Sequence, residues 1–331
     1  MKAYPIKFRP ILKEKIWGGD KLATVLHKNT ESKNVGESWE ISGVEENISV
    51  VSNGLYKGKS LNDLIKTFKG EFLGDKIISN FGESFPLLIK FLDAKTNLSV
   101  QVHPDDKMAK ANHNSFGKTE MWYIMDSDDD AEIVLGLKNK NTDILSNITA
   151  ANVDEVFNKE KVSKGDSYFI PAGKIHAIGA GVLAAEIQQT SDITYRVYDW
   201  DRVDDNGCKR ELHTDLAQHA TKVFESNGKC KYELNENTTS NLVDCDFFTT
   251  NIFNVKGINK REYKAMESFK IFMCVEGTTM VTIDGYGEFV SKGETILVPA
   301  NCESVVFNSQ DAKLLEVYIK PKKTVAKKVA S

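Results

Sequence analysis

Val162-Ser-Lys-Gly-Asp-Ser-Tyr-Phe-Ile-Pro-Ala-Gly-Lys-Ile-His176 aligns without a gap on Val290-Ser-Lys-Gly-Glu-Thr-Ile-Leu-Val-Pro-Ala-Asn-Cys-Glu-Ser304. Each stretch reads as a turn at Lys-Gly-Asp or Lys-Gly-Glu, a short apolar strand, and a second turn at Pro-Ala. A gapless internal repeat of this kind marks two related β-units in one chain. The copies part at their last residue, His176 in one and Ser304 in the other. One unit keeps a polar site and the other keeps only the scaffold, so chemistry is expected in the first.

Working outward, short β-branched or alternating runs recur between Gly, Pro, Asn and Asp. They include Glu40-Ile-Ser, Ile48-Ser-Val-Val, Phe85-Pro-Leu-Leu-Ile-Lys-Phe-Leu, Leu98-Ser-Val-Gln-Val, Glu120-Met-Trp-Tyr-Ile-Met and Ala131-Glu-Ile-Val-Leu. Such spacing predicts a β-sandwich or barrel. Helices are the minority. Ser60 reads as an N-cap, with Leu61, Leu64, Ile65 and Phe68 following at helical spacing. A second helical stretch is expected over residues 142–158 and a third from Thr214, carrying Leu216, Ala217, Ala220 and Phe224. The polar segment 225–241 is the linker candidate, with strands resuming at Phe247. The chain therefore divides near residue 235, into a catalytic β-domain over 1–235 and a smaller β-domain over 236–331.

The chain of 331 residues carries 43 Lys and Arg against 47 Asp and Glu, a net charge of −4. That balance argues against a nucleic-acid surface, which needs a clustered basic excess. The basic tail from Lys320 onward reads as a solvated terminus. No apolar stretch reaches the ~20 residues that span a bilayer, and no signal-peptide pattern is present. Five scattered cysteines without a Cys-x-x-Cys pair read as reduced thiols of a cytoplasmic protein, not as metal ligands.

Gln101-Val-His103 ends a predicted strand, and residues i and i+2 of a strand share a face. An amide and an imidazole therefore project together. The next strand opens at Lys118-Thr-Glu120, and the repeat delivers His176 just after its Pro-Ala-Gly turn. Two imidazoles, a carboxylate and an amide oxygen suit a divalent transition metal, zinc foremost, in an open catalytic site. His27, His113, His213 and His219 lie in polar or helical contexts and read as surface residues.

Four motifs in this order resemble type I mannose-6-phosphate isomerases in their short bacterial form: Leu98-Ser-Val-Gln-Val-His-Pro-Asp-Asp, Gly117-Lys-Thr-Glu-Met-Trp-Tyr, Pro171-Ala-Gly-Lys-Ile-His-Ala and Tyr195-Arg-Val-Tyr-Asp-Trp. The resemblance is strong over residues 1–215. It implies a mainly β fold of two cupin (double-stranded β-helix, jelly-roll) barrels with a few short helices, the second barrel lacking the metal ligands. Its zinc ligands fall on Gln101, His103, Glu120 and His176, one Zn2+ per chain. The family's active-site arginine falls on Arg196, and its substrate-pocket residues include Ser99, Lys118 and Lys90. The limited helical content implies no large helical domain over the pocket.

The implied reaction is the reversible conversion of mannose 6-phosphate to fructose 6-phosphate through an enediol. It needs oxyanion stabilisation, a base reaching C2 and C1, and cations for the phosphate. Arg196 and the lysines answer the phosphate demand, against the reading of Arg196 as a structural partner for Asp199 or Asp201. Glu186, in Val182-Leu-Ala-Ala-Glu-Ile, is the candidate base. Apolar surroundings are expected to raise its pKa; otherwise it orients a ligand histidine. Lys90, interrupting Leu87-Leu-Ile-Lys-Phe-Leu, is either a pocket cation or a strand residue facing solvent. Trp17, Glu37 and Trp39 either line the cleft or pack between N-terminal strands. A sugar-binding sensor without turnover and an iron-dependent cupin oxygenase are the competing classes. The small-molecule partner is a sugar phosphate, with no nucleic acid or membrane, in a monomer or weak homo-oligomer. In the second barrel Lys270 matches Glu120 by a looser alignment.

Overall fold

The computed structural model describes residues 1–204 and 206–320; the tail beyond Lys320 lies outside them. The first barrel has two antiparallel walls. One is six-stranded, in the order Ile11–Gly19, Val35–Ile41, Leu87–Ala94, Val182–Gln189, Glu120–Ser127, Ser167–Ile170. The other is five-stranded, in the order Tyr195–Tyr198, Val100–Val102, His176–Ile178, Glu132–Leu137, Phe157–Lys161. Its interior holds an apolar cluster that includes Trp122, Ile124, Tyr168 and Ile170. The cupin-type, mainly β fold expected from the sequence is present, and the longest helix has eight residues.

The second barrel is one seven-stranded sheet dominated by Thr249–Glu262, Lys270–Ile283 and Ser304–Tyr318. These strands are long because they bend instead of breaking. Register shifts at Val255/Gly257, Cys274/Glu276 and Gly277/Met280 mark the corners, where a bulge sharpens the twist. Phe253, Phe272 and Phe307 meet edge-to-face in the interior. Ile6–Lys7, from the start of the chain, pairs with Thr295–Val298 of this sheet.

Between the barrels lies the largest apolar cluster. Leu87, Ile89, Phe91, Met121, Tyr123, Ala185 and Ile187 of the six-stranded wall pack with Ile271, Met273, Leu315 and Val317 of the second barrel. The Leu87–Ala94 strand is thus buried on both faces, which is why it reads as an apolar run and not as an alternation. Lys90 faces the interior of the first barrel, where it is 4% exposed; the solvent-facing alternative does not hold.

The N-cap at Ser60 is a full capping box on Leu61–Phe68: its hydroxyl accepts from the Asp63 N–H at 3.0 Å, and its own N–H donates to the Asp63 carboxylate at 3.1 Å. Two other helical expectations need correction. Over 142–158 the chain makes a 3₁₀ turn, Asp143–Asn147, a short helix, Val153–Val156, and then a strand from Phe157. Asn152 breaks the run by donating to the Asn147 carbonyl and accepting from the Thr149 N–H, both at 2.8 Å. The third helix, Thr214–Ala220, stops short of Phe224. Residues 48–51 form only isolated bridges, and a strand, Thr239–Asp244, precedes Phe247. Among the described residues no helix is long and apolar enough to cross a membrane, and the five cysteines are free.

Candidate metal centre and its cleft

The five-stranded wall positions three of the predicted ligands. His176 opens its strand opposite Gln101, and Gln101 is also opposite Arg196 on the other side. His103 follows directly after the Gln101 strand. Glu120 comes from the other wall, as the first residue of its strand, paired with Ile170 and Gln188. His103, Glu120 and His176 are almost completely buried and form one cluster. The imidazole Nε2 atoms are 3.2 Å apart, and the Glu120 oxygens lie 3.4 Å from His176 Nε2 and 3.5 Å from His103 Nε2. The Gln101 amide nitrogen stands 3.4 Å from His176 Nε2, and its oxygen faces Ser99, so ligation through oxygen requires the amide to turn over.

The tautomers follow from the outer partners. His103 Nδ1 lies 2.8 Å from the Ile193 carbonyl, and His176 Nδ1 lies 2.8 Å from the Lys174 carbonyl. A carbonyl only accepts, so each Nδ1 carries the proton and each Nε2 presents a lone pair. Burial pushes the His176 pKa down to about 4 and holds His103 well below its ordinary value. Two facing lone pairs cannot satisfy one another. Neither Glu120 oxygen has a hydrogen-bond donor. Burial and the Glu186 charge raise the Glu120 pKa to about 7, against Lys118 at 3.3 Å and Lys90. Three convergent lone-pair groups, each histidine braced by a carbonyl, with only the long Gln101 and Lys118 approaches at 3.4 and 3.3 Å, fit a bound cation.

In front of this cluster is a polar cavity of about 430 Å³. Ser99, Gln101, Lys118, Lys90, Glu186 and Arg196 all reach it. So do Trp17, Glu37 and Trp39, and Trp17 also packs in the barrel's apolar cluster. Lys13, Lys15 and Arg210 add positive charge at the same cavity and were not singled out from the sequence. The signal for the first two was available: Lys13 and Lys15 alternate on one strand and so share a face.

Glu186 departs from expectation in two ways. It pairs with Lys90 at 3.0 Å and accepts from the Trp122 indole at 3.1 Å. Burial alone would raise its pKa, but Lys90 and Lys118 outweigh burial and hold it below the usual carboxylate value. Nor does it orient a ligand histidine directly, since both Nδ1 atoms are taken by carbonyls. Its link to His176 runs through Trp122, whose ring meets the imidazole edge-on at 5.5 Å. Glu37 shares the same pocket charge. Burial pushes it up, yet Lys90 and Lys15 bring it down to about 2.

Arg196 is not the partner of Asp199 or Asp201. Asp199 is held by Arg202 and Arg210, and Asp201 by Lys209. The Arg196 Nη1 donates to the Glu211 carbonyl at 2.7 Å, and its buried Nε has no acceptor. His113, read as a surface residue, is exposed; it ends the helix Asp106–His113 and bonds the Tyr195 hydroxyl at 2.8 Å.

Residues 6–158 match the family model for the catalytic domain of phosphomannose isomerase type I, and residues 238–319 match that for the cupin domain of mannose-6-phosphate isomerase. The mannose-6-phosphate isomerase ManA of Bacillus subtilis is 37% identical over 90% of this chain and 94% of its own length. The chain belongs to the type I mannose-6-phosphate isomerase family. The Streptococcus mutans mannose-6-phosphate isomerase is 35% identical over 92% of this chain and 96% of its own. A crystal structure of the Bacillus subtilis enzyme superposes with a TM-score of 0.85 at 34% identity, covering 95% of this chain and 99% of that one.

Proposed function

We propose that this chain interconverts mannose 6-phosphate and fructose 6-phosphate with one Zn2+ per chain, moving a proton between C2 and C1 through an enediol. The observation that carries the reading is the buried, convergent cluster of His103, Glu120 and His176 lying directly behind a cavity lined with cations. Gln101, His103, Glu120 and His176 would hold the metal, Gln101 through its amide oxygen. Bound there, zinc supplies Lewis acidity toward the sugar oxygens.

The chain's own residues take the remaining roles. Arg196, with an unused Nε donor, grips the substrate's anionic oxygens in the planar geometry that arginine favours. Lys118 and Lys90 add point charges, and Ser99 offers a hydroxyl beside Gln101, 3.4 Å from its amide oxygen. Glu186 is the proton carrier. Its lowered pKa keeps it ionised and able to accept a proton, and the Lys90 ammonium governs how strongly it does so. Trp17 and Trp39 close the cleft with apolar surface. Residues 1–235 form the catalytic domain in this reading, and 236–331 the second barrel.

A coupled assay with mannose 6-phosphate tests it, run before and after chelation and again with zinc restored. Turnover lost on chelation and regained with zinc is the expected result. A folded, zinc-loaded sample without turnover would defeat the proposal.

A further inference from the structure

Four strands around the first site have counterparts in the second barrel, and the correspondence identifies what stands at the equivalent positions there. Glu120 pairs with Ile170, and Lys270 pairs with Val298, the residue that matches Ile170 in the repeat. Lys270 therefore stands where Glu120 stands. Glu186 is opposite Trp122 and Lys90; Glu316 is opposite Phe272 and Asn251. Glu316 thus occupies the place of Glu186, and Asn251 that of Lys90. The bond is kept as well: Asn251 donates to Glu316 at 3.1 Å, as Lys90 does to Glu186 at 3.0 Å.

A cavity of about 520 Å³ opens over these residues. Its floor is polar and preassembled. Asn241 donates to Asn251 at 2.9 Å, Asn251 to Glu316, and the Tyr263 hydroxyl to the other Glu316 oxygen at 2.7 Å. Lys270 is unlike its neighbours. It is only 7% exposed, its one hydrogen bond is to the Ser268 carbonyl at 3.2 Å, and no carboxylate lies within 4 Å among the described residues. The rings of Tyr318 and Tyr263 flank it at 4.7 and 5.2 Å. A buried ammonium with unused donors is costly unless something supplies acceptors. Lys260 is paired with Glu262 and Arg261 with Glu316, so Lys264 and Lys270 outnumber Glu267 at the cavity. Only one group of residues suited to a metal is found among the described residues, and it lies in the first barrel. An ammonium in place of Glu120 keeps a positive centre at that position without a metal.

We infer that the second barrel carries a binding site of its own for a small hydroxylated anion of the sugar-phosphate class, seated on Lys270 over the Asn251–Glu316–Tyr263 floor. The choice of ligand class rests on the function proposed for the first barrel. Lys270 takes the anionic oxygens, Glu316 and Asn251 face the hydroxyls, and the tyrosine rings face the sugar's C–H surface.

Equilibrium dialysis of the full zinc-loaded chain against labelled mannose 6-phosphate tests this. Two molecules bound per chain are expected. Lys270→Met should weaken one of the two sites at least tenfold, and Lys118→Met the other. If Lys270→Met does not melt cooperatively, Asn259→Trp, which fills the cavity mouth, takes its place. One molecule bound by the parent, or two equally tight sites in the Lys270 variant, overturns the inference. Inorganic phosphate that competes as well as the sugar phosphate removes the sugar from it. Two molecules bound without turnover would defeat the isomerase reading and leave this site standing; turnover with one molecule bound does the reverse.

Discussion

Replacing Lys90 with methionine keeps the length of the side chain and deletes its charge. Glu186 then loses its counter-ion at 3.0 Å, while Glu37, which loses a contact at 4.0 Å, keeps Lys15 at 3.4 Å. Breaking a buried pair from one side costs about 3–5 kcal/mol when the abandoned charge stays ionised. Glu186 has an escape, because it can bind a proton. Without Lys90, burial governs it, and its pKa moves from below to above the ordinary value of 4.5. The sign of its pH linkage reverses accordingly. In the parent chain Glu186 contributes stability that is present above pH 4.5 and lost as pH falls through its lowered pKa. In the variant the contribution is present at low pH and lost as pH rises through the raised pKa. Lys90→Met should therefore be destabilised by about 3–5 kcal/mol at pH 8. By pH 5 part of that penalty should disappear relative to the parent, because Glu186 then takes up a proton in the folded variant. The double variant Lys90→Met/Glu186→Gln should lie within about 1 kcal/mol of Glu186→Gln at both pH values. Urea unfolding of chelated protein, followed by tryptophan fluorescence, measures all of this. A penalty independent of pH, or one that Glu186→Gln fails to relieve, refutes the reasoning.

Glu186→Gln should lower turnover at least a hundredfold and leave metal content unchanged; metal lost in step with activity would show that it braces the centre instead. Arg196→Ala should reduce turnover at least tenfold with zinc still bound and stability within about 1 kcal/mol of the parent, because no carboxylate depends on it. Metal titration should release about one proton at pH 6 and almost none at pH 8.5. This follows because Glu120, at about 7, is protonated in the metal-free chain at the lower pH, whereas His176, at about 4, is not. Calorimetry in buffers of different ionisation enthalpy reads that number directly, and equal release at both values would contradict the Glu120 assignment.

The convergence of His103, Glu120 and His176 was legible because its signals are local. A period of two puts Gln101 and His103 on one face, and the repeat marks His176 against Ser304. What failed to show was set by partners distant in sequence. Glu186 was expected to have a raised pKa because its own strand is apolar; the residue that lowers it, Lys90, is opposite it across a sheet. The same holds for Arg196, whose competitors Arg202 and Arg210 claim Asp199 first. The helix expected over 142–158 failed for a smaller reason: one asparagine side chain bonds the backbone of the preceding turn more favourably than a helix would. The helix Asp106–His113 was passed over because it buries little apolar surface, although its Asp105 cap, accepting from the Met108 N–H at 3.0 Å, stands in the sequence.

Ile6 pairs with Leu297, so a strand synthesised before the first barrel completes the sheet of the second. At ordinary translation rates of ~5–20 residues per second, that segment waits on the order of 15–60 s for its partner. During that interval the six-stranded wall also lacks the surface that covers Leu87, Ile89 and Phe91. The nascent first barrel is thus a sticky intermediate that chaperones would be expected to hold, and expressing it alone would leave that face permanently open to self-association.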